Sequence, residues 1–159
     1  MWASILVALA VMPVQAFTIT SLSIQVGQNG DARIDVKYDL SLLEQSAVFL
    51  RIADPARELQ SAFNAGSSMP TTVTSATSSS AQVLVPSFAT VTTTGNKTII
   101  TTPSLSFERA ERVLQNYWFA PLVSADLSPS ITTITFPDGY KEQFYDRISI
   151  PSVSHQISS

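Results

Sequence analysis

In the segment ARIDVKYDL, Ala32, Ile34, Val36, Tyr38 and Leu40 alternate with Arg33, Asp35, Lys37 and Asp39. A period of two puts the apolar set on one face of a strand and the polar set on the other. LSIQV, Leu22 to Val26, alternates in the same way, and Gly27 to Asp31 joins the two runs. The pattern predicts an N-terminal β-hairpin with one wet face, whose alternating charges read as a solvated ladder of weak pairs. Near the other end, ITTITF and YKEQFYDRISI flank Pro137, Asp138 and Gly139. Proline, aspartate and glycine in that order mark a β-turn, so a second hairpin is expected there.

Between the hairpins the period changes. Ser41 and Glu44 make a capping box ahead of QSAVFLRI, which predicts a helix ending near Ala53. Asp54 then caps a second helix with Pro55 at its first position, an apolar stripe of Leu59, Ala62 and Phe63, and Gly66 as its stop. A third is expected from Ser106, where Phe107, Ala110, Val113, Leu114 and Tyr117 or Trp118 fall at helical spacing until Pro121.

Half of residues 67–104 are serine or threonine, and Lys97 is their only charge. Val73, the run Gln82 to Val85, Val91 and the pair Ile99–Ile100 supply short β signals, and Gly95-Asn96 marks a tight hairpin. Three or four antiparallel strands are the expectation, against a glycosylated stalk as the compositional alternative. The order strand, turn, strand, cap, helix occurs twice, without shared residues. The expected class is therefore α+β: antiparallel sheet built from an N-terminal hairpin, a Thr-rich meander and a C-terminal hairpin, with about three helices packed on one face.

The chain has 159 residues, enough for one domain of ordinary size. Ala3 to Met12 is an apolar run with Ser4 as its one polar residue, ended by Pro13 and followed by Val14 and Ala16 at cleavage-site spacing before Phe17. That is signal-peptide grammar, although no lysine or arginine precedes the run. The expected division is residues 1–16 as a cleaved leader, 17–151 as one domain and 152–159 as a flexible tail. No later segment has the length and apolarity of a membrane span.

Charged residues are only 13% of the chain and its net charge is −3, with no basic cluster, so nucleic acid is not an expected partner. There is no cysteine, which excludes disulfides, thiol catalysis and thiolate metal sites.

Little catalytic chemistry stands out. His155 is the sole histidine and reads as an exposed bystander in the tail. Asp126, Asp138, Glu142 and Asp146 lie near Tyr117, Trp118, Tyr140 and Tyr145, which keeps open a carboxylate-based glycoside hydrolase or a small carbohydrate-binding module. Asp138 is equally explained by its turn and Asp146 by its neighbour Arg147. Asn29 and Asp31 could serve calcium, but their spacing departs from the EF-hand loop and a plain turn explains them. No catalytic residue, metal or cofactor is assigned. Asn96-Lys97-Thr98 is an N-glycosylation sequon at a hairpin tip. Thr72, Val73 and Thr74, and likewise Thr90, Val91 and Thr92, form edges with neither charge nor proline, the devices that normally discourage strand addition.

Over YDLSLLEQSAVFLRIADPARELQ, LSFERAERVLQNYWFAPLVS and ITTITFPDGYKEQFYD the chain resembles a group of exported archaeal proteins of methane producers. The resemblance implies an envelope or extracellular location and carries no known activity. The expected function is thus a non-catalytic exported domain acting through protein contacts or self-association at the cell surface. The alternatives are a subunit of a surface filament or surface layer built by β-strand addition, and the carbohydrate reading already given.

Overall fold

The computed structural model describes residues 17–39, 57, 60, 70–115 and 125–158. The expected leader, the expected helix before Ala53, and Tyr117 and Trp118 lie outside them.

The N-terminal hairpin forms as its alternation predicts. β1 (Phe17–Val26) pairs antiparallel with β2 (Ala32–Asp39), with Ile24 opposite Ile34 and Val26 opposite Ala32. Leu22, Ile24 and Val26 are buried, while Gln25 and Arg33 are exposed. The alternation thus becomes two faces of one sheet.

The Thr-rich segment contributes β3 (Thr72–Ala76), β4 (Ser80–Val85), β5 (Thr90–Thr94) and β6 (Lys97–Thr101). They do not form one meander. β4 joins β2 and carries β3 beyond it, whereas β5 and β6 pair with each other in a separate sheet. The division falls at 86–89, where Ser87 takes a φ of 53°. Its N–H donates to Asp31 Oδ1 at 2.8 Å.

A two-residue bridge strand, β7 (Leu105–Ser106), leads into α1 (Phe107–Leu114), which starts directly after the predicted cap. β8 (Ala125–Asp126) and β9 (Ile131–Thr135) then lie parallel to β1, and β10 (Lys141–Tyr145) folds back on β9 as the second predicted hairpin. β11 (Ser149–Ile150) pairs with β7, and β12 (Ser154–Ser158) pairs with β6 from Ser154–Thr101 to Ser158–Lys97. The main sheet runs β10-β9-β1-β2-β4-β3 with β8 beside β1, and the small sheet runs β12-β6-β5.

Two expectations are corrected here. The described chain is mostly strand, with one short helix and helical backbone at Arg57 and Gln60, so it is not an α+β fold with about three helices on one face. The layer assigned to helices is occupied by sheet. Leu22, Ile24, Val83, Ile134 and Phe136 from the main sheet share one core with Ile100 of β6 and Ile150 of β11, and Val91, Val153 and Ile157 pack against it. Sheet on sheet is the ordinary way to bury two alternating faces. The second correction concerns residues 152–159. Their flexible tail is instead the strand β12, because Thr102 holds its approach: Thr102 N–H donates to Val153 O at 2.9 Å, and Val153 N–H donates to Thr102 Oγ1 at 3.0 Å.

The GQNGD loop is consumed by the fold. Asp31 Oδ1 accepts from Ser87, Oδ2 accepts from Asn29 Nδ2 at 2.7 Å, and Gly30 O accepts from Ala89 N–H at 2.8 Å. Its acidic group ties the hairpin to the β4–β5 connection, which explains the residues without calcium.

Candidate functional site

The fold decides which of the expected edges are sheet borders. Thr72, Val73 and Thr74 lie on β3, the last strand of the main sheet, and Thr90, Val91 and Thr92 lie on β5, the last strand of the small one. The two borders differ. Gln60 Oε1 accepts the Val73 N–H at 2.6 Å, and its Nε2 donates to Thr71 O. One carboxamide therefore pairs with β3 as a neighbouring strand would. The register also shifts between Val73 and Ser75, and Thr74 Oγ1 turns back to Gln82 Oε1 at 3.1 Å. A bulge and an occupied backbone are both ways in which an edge resists pairing.

β5 has neither device. Its register with β6 is unbroken from Thr90–Thr101 to Thr94–Lys97, and no strand lies on its other side among the described residues. Gly95 at the tip has a φ of 61°, as the first central residue of a type II′ turn requires. Asn96 is exposed at that tip.

A second constellation sits where the β9–β10 turn meets β12. His155 lies opposite Ile100 in register and is half-buried, so it points between the layers. Its Nε2 is 2.7 Å from Asp138 Oδ2, its ring stacks on Tyr140 at 4.2 Å and 8°, and Phe136 packs against both rings, tilted at 5.0 Å from the imidazole and 6.0 Å from Tyr140. Asp138 Oδ1 also accepts the Tyr140 N–H at 3.1 Å. The imidazole hydrogen bond, and after it the backbone one, holds the Asp138 carboxyl below its ordinary value. Tyr140 donates its hydroxyl to Glu142 Oε2 at 2.6 Å, and that bond raises the phenol above its ordinary value. The sequence reading missed this group because the histidine stood alone in the chain. The one available hint was period two in SVSHQIS, which places Val153, His155 and Ile157 on one face.

The other predicted site residues disperse. Tyr140 and Glu142 share the inner side of the β10 hairpin, while Tyr145 is exposed with Lys141 and Gln143 on the outer face, where it donates to Gln143 Oε1 at 3.1 Å. Alternation thus puts Tyr140 and Tyr145 on opposite faces, so they cannot line one platform. Asp126 accepts its own turn's Ser128 N–H at 2.9 Å, and Asp146 takes a φ of 49° just beyond β10. The outer face itself is polar and shallow. Lys141, Thr135, Gln25, Arg33 and Leu84 follow one another across five strands, and an open depression of about 510 Å³ lies at the Lys141 end.

Among the described residues no group of three or more metal-ligating side chains occurs, and no helix is long and apolar enough to cross a membrane. Comparison of the chain with known protein families, with curated proteins and with solved structures finds no match.

Proposed function

We propose that the chain is an exported, non-catalytic domain that works by protein contacts at the cell surface, as its resemblance to exported archaeal proteins implies, and that β5 makes the contact. One observation carries the reading: β5 is a regular, uncharged border strand, while the comparable border β3 is bulged and paired by Gln60. An edge of that kind offers backbone donors and acceptors that no described strand uses, and a second copy can add its own β5 antiparallel, giving a two-fold contact. Such a two-fold pair uses up the β5 edge of both copies and closes as a dimer, so growth into a filament or surface layer would take a second contact elsewhere on the domain. Asn96, exposed beside this edge, is the proposed glycosylation site, where a glycan would limit how closely copies approach.

Light scattering on size-separated protein beginning at Phe17, across a concentration series, tests the reading. Mass should rise with concentration, and Thr92→Lys, which plants a charge on an exposed edge position, should return it to monomer without changing the fold. A parent protein that stays strictly monomeric at high concentration would rule out self-association through β5.

A further inference from the structure

We propose that the outer face of the main sheet binds an acidic oligosaccharide, a glycan segment that carries carboxylates on its sugars. This face belongs to the other sheet from β5, so the inference does not depend on the contact proposed above.

The first observation is that the cations of this face have no acids across from them. The alternating charges of β2 read in sequence as a ladder of weak pairs. The register builds no such ladder. Arg33 stands between Gln25 and Leu84, Lys37 between Ser21 and Ser80, and Lys141 beside Thr135. The one ion pair on the face joins Arg33 Nε to Asp35 Oδ2 at 3.6 Å, longer than a hydrogen bond. Asp35 is spent elsewhere, since its Oδ1 accepts from Gln82 Nε2 at 2.6 Å.

The other acids at this end of the sheet are also occupied. Asp31 holds Ser87 and Asn29, Asp138 holds His155, and Glu142 accepts from Tyr140. Asp39 shares the outer face of β2 but lies six residues beyond Arg33, about 20 Å along the strand. Arg33 and Lys141 thus present positive charge to solvent on a chain whose net charge is −3.

The strip between these two cations suits hydroxyl groups. Lys141, Thr135, Gln25 and Arg33 form one row, and three strand spacings put its ends about 14 Å apart. The side chains of Thr135, Gln25 and Ser23 have no hydrogen-bond partner among the described residues. A carboxamide offers donors and an acceptor together, and a hydroxyl serves as either. An open depression of about 510 Å³ reaches from Lys141 to Gln25, and a second of about 430 Å³ reaches from Gln25 to Arg33. They meet at Gln25. A long, shallow trough of this kind fits an extended chain laid across the strands.

The chemistry selects the occupant. Carboxylates would sit on Lys141 and on the Arg33 guanidinium, with sugar hydroxyls on Gln25, Thr135 and Ser23 between them. A neutral sugar would leave both cations unused. Two cations in a row are too few for a nucleic acid, whose affinity grows with each phosphate neutralised. A protein partner would bring an apolar centre, and the exposed apolar side chain here, Leu84, lies at the end of the row.

NMR titration of the purified chain with a galacturonic acid tetramer tests this, beside a neutral galactose tetramer and tetraglutamate. The galacturonate should shift amides of β1, β9 and β10 and leave those of β5 and β6 unmoved. Lys141→Gln and Arg33→Gln replace exposed side chains, so both variants should fold. Each should weaken binding about tenfold, the worth of one charge-assisted hydrogen bond. Lys97→Gln removes the same charge from the small sheet and should leave binding unchanged. No binding, equal affinity for the neutral tetramer or for tetraglutamate, or an equal loss in Lys97→Gln would overturn the proposal.

Discussion

Two glycines separate conformational demand from steric demand. Gly30 has a φ of 85°, and a Cβ there would stand 2.3 Å from the backbone oxygen of Ala89, the residue whose N–H already donates to Gly30 O. Gly95 has a φ of 61° with nothing within 4 Å. Gly95→Ala should therefore cost about 1 kcal/mol from the left-handed backbone alone, and Gly30→Ala about 2–4 kcal/mol, because it also pushes the β1–β2 loop off the β4–β5 connection. Urea midpoints at constant m-value measure both. Asp138 sets a third expectation at this scale. With its carboxyl held low by His155, removal of the charge in Asp138→Asn should flatten the acid side of the stability curve, where the parent loses stability as pH falls. Thermal midpoints between about pH 2 and pH 5 read this directly.

At the scale of elements, Gln60 is the residue that makes β3 and β5 unlike. Both strands read the same in sequence, short and rich in threonine. The carboxamide that pairs with Val73 comes from a residue twelve positions before β3 begins, and local pattern does not register a partner at that distance. Gln60→Ala removes both bonds to the β3 backbone and should lower stability by about 1–3 kcal/mol while raising concentration-dependent association. Thermal melting and light scattering on the same samples separate the two effects. The hairpins were legible beforehand because their signals are local: period two on both arms, with Gly30, Gly95 and Gly139 supplying positive φ in the turns. The helix after Ser106 was legible too, since cap and stripe are contiguous in the chain. The role of His155 was not, because its partners Asp138, Tyr140 and Phe136 come from a different hairpin.

The molecule as a whole stands on one core shared by its two sheets. Ile24 and Ile100 are completely buried, one in each layer. Ile100→Ala should cost about 2–5 kcal/mol even though β6 belongs to the smaller sheet, and exchange protection of β1 and β6 should then collapse at the same denaturant concentration. Protection of β1 outlasting that of β6 would show the layers to be separate units.

The sequence by itself determined the hairpin turns, the strands that flank them, the inward and outward faces of the N-terminal hairpin and the absence of disulfides, because these depend on residues two to five positions apart or on composition. Only the tertiary structure decided that the apolar faces are covered by a second sheet rather than by helices, since an alternating face specifies that it must be buried and not by what. It also decided which threonine strand has no described neighbour on its outer side, and it paired residues 154–158 of the supposed tail with β6 as a border strand. Each of these depends on contacts between segments far apart in the chain, where pairing energy and packing choose among partners that local pattern leaves equivalent.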